Sequence, residues 1–86
     1  MKVKLPTPLV EYTDGLREVE AVGDSLEALL HDLERRYPGI RFRMIDEQGQ
    51  VRAHIKLFVN AELQRSLATP LERDDEVMIV AALSGG

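Results

Sequence analysis

The sequence contains no cysteine and no tryptophan, only two tyrosines and two phenylalanines, and no apolar run long enough to cross a membrane. Without cysteine there can be no disulfide framework, no thiolate nucleophile and no Cys-type zinc site. The fit is to a cytoplasmic protein. No segment approaches the ~20 apolar residues of a membrane span, and the start Met-Lys-Val-Lys-Leu-Pro lacks the apolar stretch of a signal peptide. The scarcity of aromatics means that Leu, Ile and Val must build the core. Basic charge is in deficit too. The formal net charge is −4, which argues against nucleic acid as a partner, because such binding rests on Lys and Arg neutralising phosphates. The basic clusters Arg35-Arg36 and Arg41–Arg43 read as a solvated helix end followed by a loop.

What is present is enough for one domain. Eighty-six residues, 44% hydrophobic and 30% charged, match an ordinary globular chain, and dividing them would leave neither half a core. Residues 2 to 9, KVKLPTPL, begin as a half-buried strand with Val3 and Leu5 alternating against Lys2 and Lys4. Pro6 and Pro8 each remove a ladder donor and make it irregular. Tyr12-Thr13-Asp14-Gly15 is turn chemistry, and LREVEAV (16 to 22) alternates again, so the two strands are expected to form a hairpin around an Asp-Gly turn.

Gly23-Asp24-Ser25 then opens a helix. Asp24 as N-cap would place Glu27 in a capping box, with Ser25 as the competing cap. Leu26, Leu29, Leu30, Leu33 and Tyr37 recur at helical spacing, and Pro38-Gly39 ends the run. Residues 40 to 52 read as an exposed connection anchored by Ile40, Phe42, Met44 and Ile45. HIKLFVN (54 to 60) is a strand with Ile55, Leu57 and Val59 on one face, and Asn60-Ala61-Glu62 turns the chain. Leu63 to Leu71 is short and mixed, and Pro70 forbids a central strand there. EVMIVA, opened by Asp74-Asp75, reads as a central strand covered at least partly on both sides.

One helix stripe implies one sheet face to cover. The order strand, strand, helix, strand, short element, strand is that of an α+β roll, the β-grasp, with a mixed sheet of four to five strands. Order alone leaves a ferredoxin-like split βαβ as the competitor.

Beyond the last strand come Leu83, Ser84, Gly85 and Gly86. Extended, four residues span roughly 13 Å, so residues 83 to 86 are expected to form a flexible tail. Two glycines without side chains can thread a narrow channel and serve no folding purpose. A terminal carboxylate on Gly86 would be ionised at neutral pH and could attack the α-phosphate of ATP. Alone, Gly-Gly reads as a frayed end or linker; after the final strand of a β-grasp it reads as a working group.

These features resemble the prokaryotic ubiquitin-like sulfur-carrier family, which includes the molybdopterin-synthase small subunit and the thiamine-biosynthesis carrier. The likeness runs over the whole chain: the strand-turn-strand start, GDSLEALLHDLERRYPGI, FVNAE, and TPLERDDEVMIVAALSGG. DDEV before an apolar strand and a final Gly-Gly is its most specific part. The longer middle, RYPGIRFRMIDEQGQVRAHIKLFVN, resembles carriers serving cysteine or thio-metabolite synthesis.

The resemblance implies a carrier without its own active site, acting as co-substrate or as the small subunit of a synthase. A ubiquitin-activating-type enzyme would adenylate Gly86 using MgATP, with no cofactor bound stably to the chain itself. Sulfur, supplied in some cases by a sulfurtransferase, would give a thiocarboxylate that a synthase consumes. Two other functions fit the same sequence: a protein modifier joined through Gly86 to target lysines, and a β-grasp binding module with incidental glycines. His31 and His54 are not spaced as metal ligands, and Asp74, Asp75 and Glu76 read as a charged turn before a strand rather than a cation site. Pleat parity turns Phe58, Met78 and Val80 away from the helix, so these three are expected to form an apolar partner surface beside the tail. A covering loop at 41–52 would remove it.

Overall fold

The leucines of the helix and the alternating residues of the strands bury against each other in a single interface. The computed structural model describes residues 1–82. Strand β1 (Lys2–Lys4) pairs antiparallel with β2 (Glu18–Glu20) and parallel with β5 (Glu76–Ala81). β5 also pairs antiparallel with β3 (Ile55–Val59), which holds β4 (Glu62–Gln64) at the edge. The sheet order is β2-β1-β5-β3-β4, with helix α1 (Leu26–Arg36) packed across one face. This is the β-grasp that the element order predicts, and β5 is its centre.

The start of the chain departs from the hairpin expectation. β1 ends at Lys4, and Thr7–Thr13 winds into a 3-10 helix entered through Pro6 and Pro8. The prolines that cannot donate to a ladder favour such a helix, where their fixed φ is suited to its first turn. Leu9 and Thr13 are buried in it, and Asp14 (φ 55) closes it. β1 and β2 still pair, Val3 opposite Val19, but across this helical connection rather than a two-residue turn.

Helix α1 places Leu26, Leu29, Leu30 and Leu33 fully inside, as the stripe predicts. Its cap is Ser25, whose hydroxyl accepts from the Ala28 amide at 3.1 Å, and not Asp24. The Asp24 backbone carbonyl instead accepts from Leu71 N–H at 3.0 Å, while Leu26 and Glu27 N–H donate to the carbonyls of Thr69 and Leu67. The segment before β5 thus ties down the helix start, with Leu71 buried. Gly23 is set close to the same helix: a Cβ there would lie 2.4 Å from Leu29 N.

Residues 40–52 are not simply an exposed connection. Ile40–Met44 form a short helix, α2, and Ile40, Met44 and Ile45 are fully buried. Gly39 enters it at φ 98, and both Gly39 N–H and Arg41 N–H donate to the Glu34 carboxylate. Phe42, expected as an anchor, is 55% exposed. α2 packs against α1 and the 3-10 helix, on the helix side of the sheet, so it does not cover the opposite face. None of the described helices is long and apolar enough to cross a membrane.

Candidate functional site at the exit of the central strand

β5 reads iron-flat in sequence as EVMIVA, yet its two faces differ. Val77 and Ile79 are buried against the helix, while Met78 is 37% exposed and Glu76 and Val80 are half-buried. The expectation of partial cover on both sides therefore holds for Val80 and less for Met78. Ala82 N–H donates to the His54 carbonyl at 2.7 Å, carrying the ladder one residue past the strand. The expected tail, with Ser84, Gly85 and Gly86, lies outside the described residues.

The register brings the three predicted surface residues together. Phe58 is directly opposite Met78, and Lys56 is opposite Val80. Phe58 is half-buried. Leu63 on β4 pairs with Phe58 and is 40% exposed. One row across the sheet therefore reads Leu63, Phe58, Met78, Lys4, Glu18, with neighbouring strands about 4.8 Å apart. Val80 lies on the next row toward the tail. Sequence reasoning missed Leu63; its signal was the alternation of Glu62-Leu63-Gln64, obscured by the shortness of that strand.

Charge frames the apolar row. Lys4 Nζ is 3.2 Å from Glu76 on the adjacent strand, and Lys2 and Lys4 face Glu20 and Glu18 across β1 and β2. Opposite charges on adjacent strands fix register modestly. They leave an apolar strip over β4, β3 and β5 beside a mixed-charge field over β1 and β2.

The DDEV run proves structural. The Asp75 carboxylate accepts from Glu72 N–H at 2.8 Å and from the Asn60 side-chain amide at 2.8 Å, and Asn60 Oδ1 accepts from Glu76 N–H at 3.0 Å. The Glu72 amide first, then Asn60, hold Asp75 below the usual carboxylate range. This ties the β3–β4 turn to the start of β5. Asp75 thus belongs to the hydrogen-bond network of a charged turn before β5. His31 and His54 are both exposed, His31 on α1 and His54 in the turn just before β3, which starts at Ile55 rather than at His54.

A 2-1-5-3-4 mixed sheet with one helix across it defines the ubiquitin-like class of β-grasp proteins. Residues 3–86 match the ThiS family, and the chain belongs to it. It is 38% identical over 89 residues to the sulfur carrier protein CysO of Mycobacterium tuberculosis, covering 98% of this chain and 96% of that protein. The crystal structure of that CysO superposes with a TM-score of 0.91 at 37% identity, over 95% of this chain and 98% of the other. CysO in the BexX/CysO complex of Amycolatopsis orientalis gives a TM-score of 0.90 at 31% identity, covering 99% and 98%. Small archaeal modifier protein 1 of Haloferax volcanii gives 0.80 at 28% identity, covering 100% and 98%.

Proposed function

We propose that the protein is a cytoplasmic sulfur carrier whose working group is the carboxylate of Gly86. The observation that supports this reading most is the likeness to a named sulfur carrier over nearly the whole chain, 98% of it, joined to a central strand that ends at Ala81 in a sequence that goes on to Gly85-Gly86. In this reading the body acts as a carrier that presents an end for other proteins to work on.

The chemistry opens with two displacements. A Gly86 carboxylate oxygen attacks the α-phosphorus of MgATP in a partner enzyme, and pyrophosphate leaves, giving an acyl adenylate. Sulfide then attacks the acyl carbon, the C–O bond to AMP breaks, and a thiocarboxylate remains. That sulfur is a better nucleophile than the carboxylate it replaces; in an acceptor enzyme of cysteine or thio-metabolite synthesis it attacks an electrophilic carbon of the acceptor substrate, that carbon's leaving group departs, and a thioester joins Gly86 to the product. Water then attacks the acyl carbon, the acyl C–S bond breaks, the product leaves as a thiol and the Gly86 carboxylate is restored.

The adenylating enzyme would dock on the strip formed by Leu63, Phe58, Met78 and Val80, which runs toward the tail on the open face of the sheet. Methionine and phenylalanine at the centre with charge at the rim are the composition of a partner surface. A related CysO is found in a complex with BexX, which supports the reading that a carrier of this kind works by binding other proteins.

Likeness to a small archaeal modifier protein favours a second use of the same adenylate, transfer to a lysine of a target protein. Removing Gly86 tests both readings against a plain binding module: a carrier or modifier loses all function, and a binding module keeps it. A thiocarboxylate at Gly86 then identifies the carrier, and a ladder of heavier conjugates identifies the modifier.

A further inference from the structure

The end of the sheet from which the tail leaves has a second surface, on the helix side. An open cleft of about 480 Å³ lies against Ala81, walled by Arg43, Arg52, His54, Phe42 and Glu11. It faces away from the Phe58 strip, since Ala81 shares the parity of Val77 and Ile79.

Two guanidinium groups in it are held in place before anything binds. The Arg52 guanidinium carbon stands 4.6 Å from the centroid of the exposed Phe42 ring, and its Nε donates to the Phe42 carbonyl at 2.8 Å. Arg43 lies 5.8 Å from the Tyr12 ring centroid, with its Nε donating to the Tyr12 hydroxyl. Each contact uses one ring face and one N–H. Neither arginine belongs to any of the ion pairs among the described residues, so the terminal nitrogens of both forks remain available to a planar anion. Glu11 is the one acidic residue of the wall. Residues 41 to 56 carry four cationic side chains against two anionic ones, in a chain of net charge −4. A cationic cluster in an acidic protein thus sits beside Ala81, the last residue of the central strand.

We propose that this cleft seats an acidic segment of the adenylating enzyme, one or two Asp or Glu carboxylates pairing with Arg43 and Arg52. The proposal rests on the sulfur-carrier reading. The enzyme would then grip the tail root from both sides, by apolar contact on the open face and by charge on the helix face. A nucleotide phosphate fits the position less well, because Gly86 lies five residues beyond Ala81, roughly 16 Å of extended chain.

The test is the affinity of the full chain for the adenylating enzyme of the same organism, by calorimetric titration at low and at physiological salt. The probes are wild type, R43Q/R52Q and R43E/R52E, with thermal midpoints measured alongside. Charge reversal is expected to weaken Kd at least about tenfold and neutralisation by several-fold, and the salt dependence of wild-type binding should flatten in both. Should a double variant fold poorly, R43Q and R52Q singly should each show part of the same loss of salt dependence. Equal Kd and equal salt slope in all variants would overturn the proposal. So would normal binding to the adenylating enzyme with loss only of sulfur delivery, which would place the acidic partner on the acceptor. Because binding is read without turnover, failure of the wild type to gain sulfur would count against the carrier reading and leave the affinity comparison to decide the cleft.

Discussion

Phe58 stands directly opposite Met78 in the antiparallel β3–β5 ladder, and both point away from the helix. Their facing partners on the other side of the pleat, Leu57 and Ile79, are buried. The same backbone therefore presents a core on one side and a strip of apolar contact on the other. Phe58→Asp should leave the fold in place, with a loss of about 1 kcal/mol from poorer strand packing. Activation by the adenylating enzyme should fall at least about a hundredfold, the usual cost of removing a central aromatic anchor. Initial rates of adenylate formation read this, with circular dichroism as the control for folding. A variant activated at the wild-type rate would remove the strip from the account.

Gly23 is needed for a different reason. A Cβ at this position would meet Leu29 N at 2.4 Å and the Ala28 and Leu29 backbone carbons at 2.8 Å, and backbone cannot swing aside as a side chain can. Gly23→Ala should cost about 3 kcal/mol in urea unfolding, as overpacking against a fixed element does. A loss below about 0.5 kcal/mol would mean that the β2–α1 approach is looser than this.

Asp32 joins the helix to Val22, the second residue past β2. Its carboxylate accepts from Val22 N–H at 2.9 Å and from Arg35 and Arg36. Partial burial pushes this carboxyl upward, but the Val22 amide and then the two guanidiniums outweigh it and bring the pKa down to about 2. A carboxylate depressed in the folded state stabilises above its unfolded pKa, and that contribution fades as pH falls from about 4 to about 2. Solvent beside Arg35 keeps the effect to about 1 kcal/mol. Asp32→Asn should lower stability at pH 7 by that amount and flatten the acid limb; identical acid limbs for the two proteins would contradict it.

Ala61 occupies the second position of the β3–β4 turn with φ 72, after Asn60 at φ 50. The left-handed region suits Asn and Gly but strains Ala. Ala61→Gly should raise stability by about 0.5–1 kcal/mol in thermal unfolding. A decrease would show that the flexibility glycine adds to the unfolded chain is the larger effect.

The sequence made the helix stripe, the two long strands and the parity of Phe58, Met78 and Val80 legible, because each depends only on period and local chemistry. What it hid depended on tertiary contact. α2 is too short to show a period, and its first amides are satisfied by Glu34 from another helix. Ser25 caps α1 because the Asp24 backbone is engaged with Leu71. The 3-10 helix replaces the tight hairpin because two prolines deny the ladder its donors. The charged cleft was hidden for the same reason: Arg43 with Tyr12 and Arg52 with Phe42 are pairs made by folding.

The central claim is that this domain exists to present Gly86 for activation, and intact mass addresses it most directly. The full chain is incubated with MgATP, sulfide and the adenylating enzyme of its own organism, then weighed beside a reaction lacking ATP. A carrier gives an ATP-dependent product heavier by the difference between one sulfur and one oxygen atom, with the change located at Gly86 by fragmentation. A chain that binds the enzyme yet keeps its original mass, with ATP unconsumed, would contradict it.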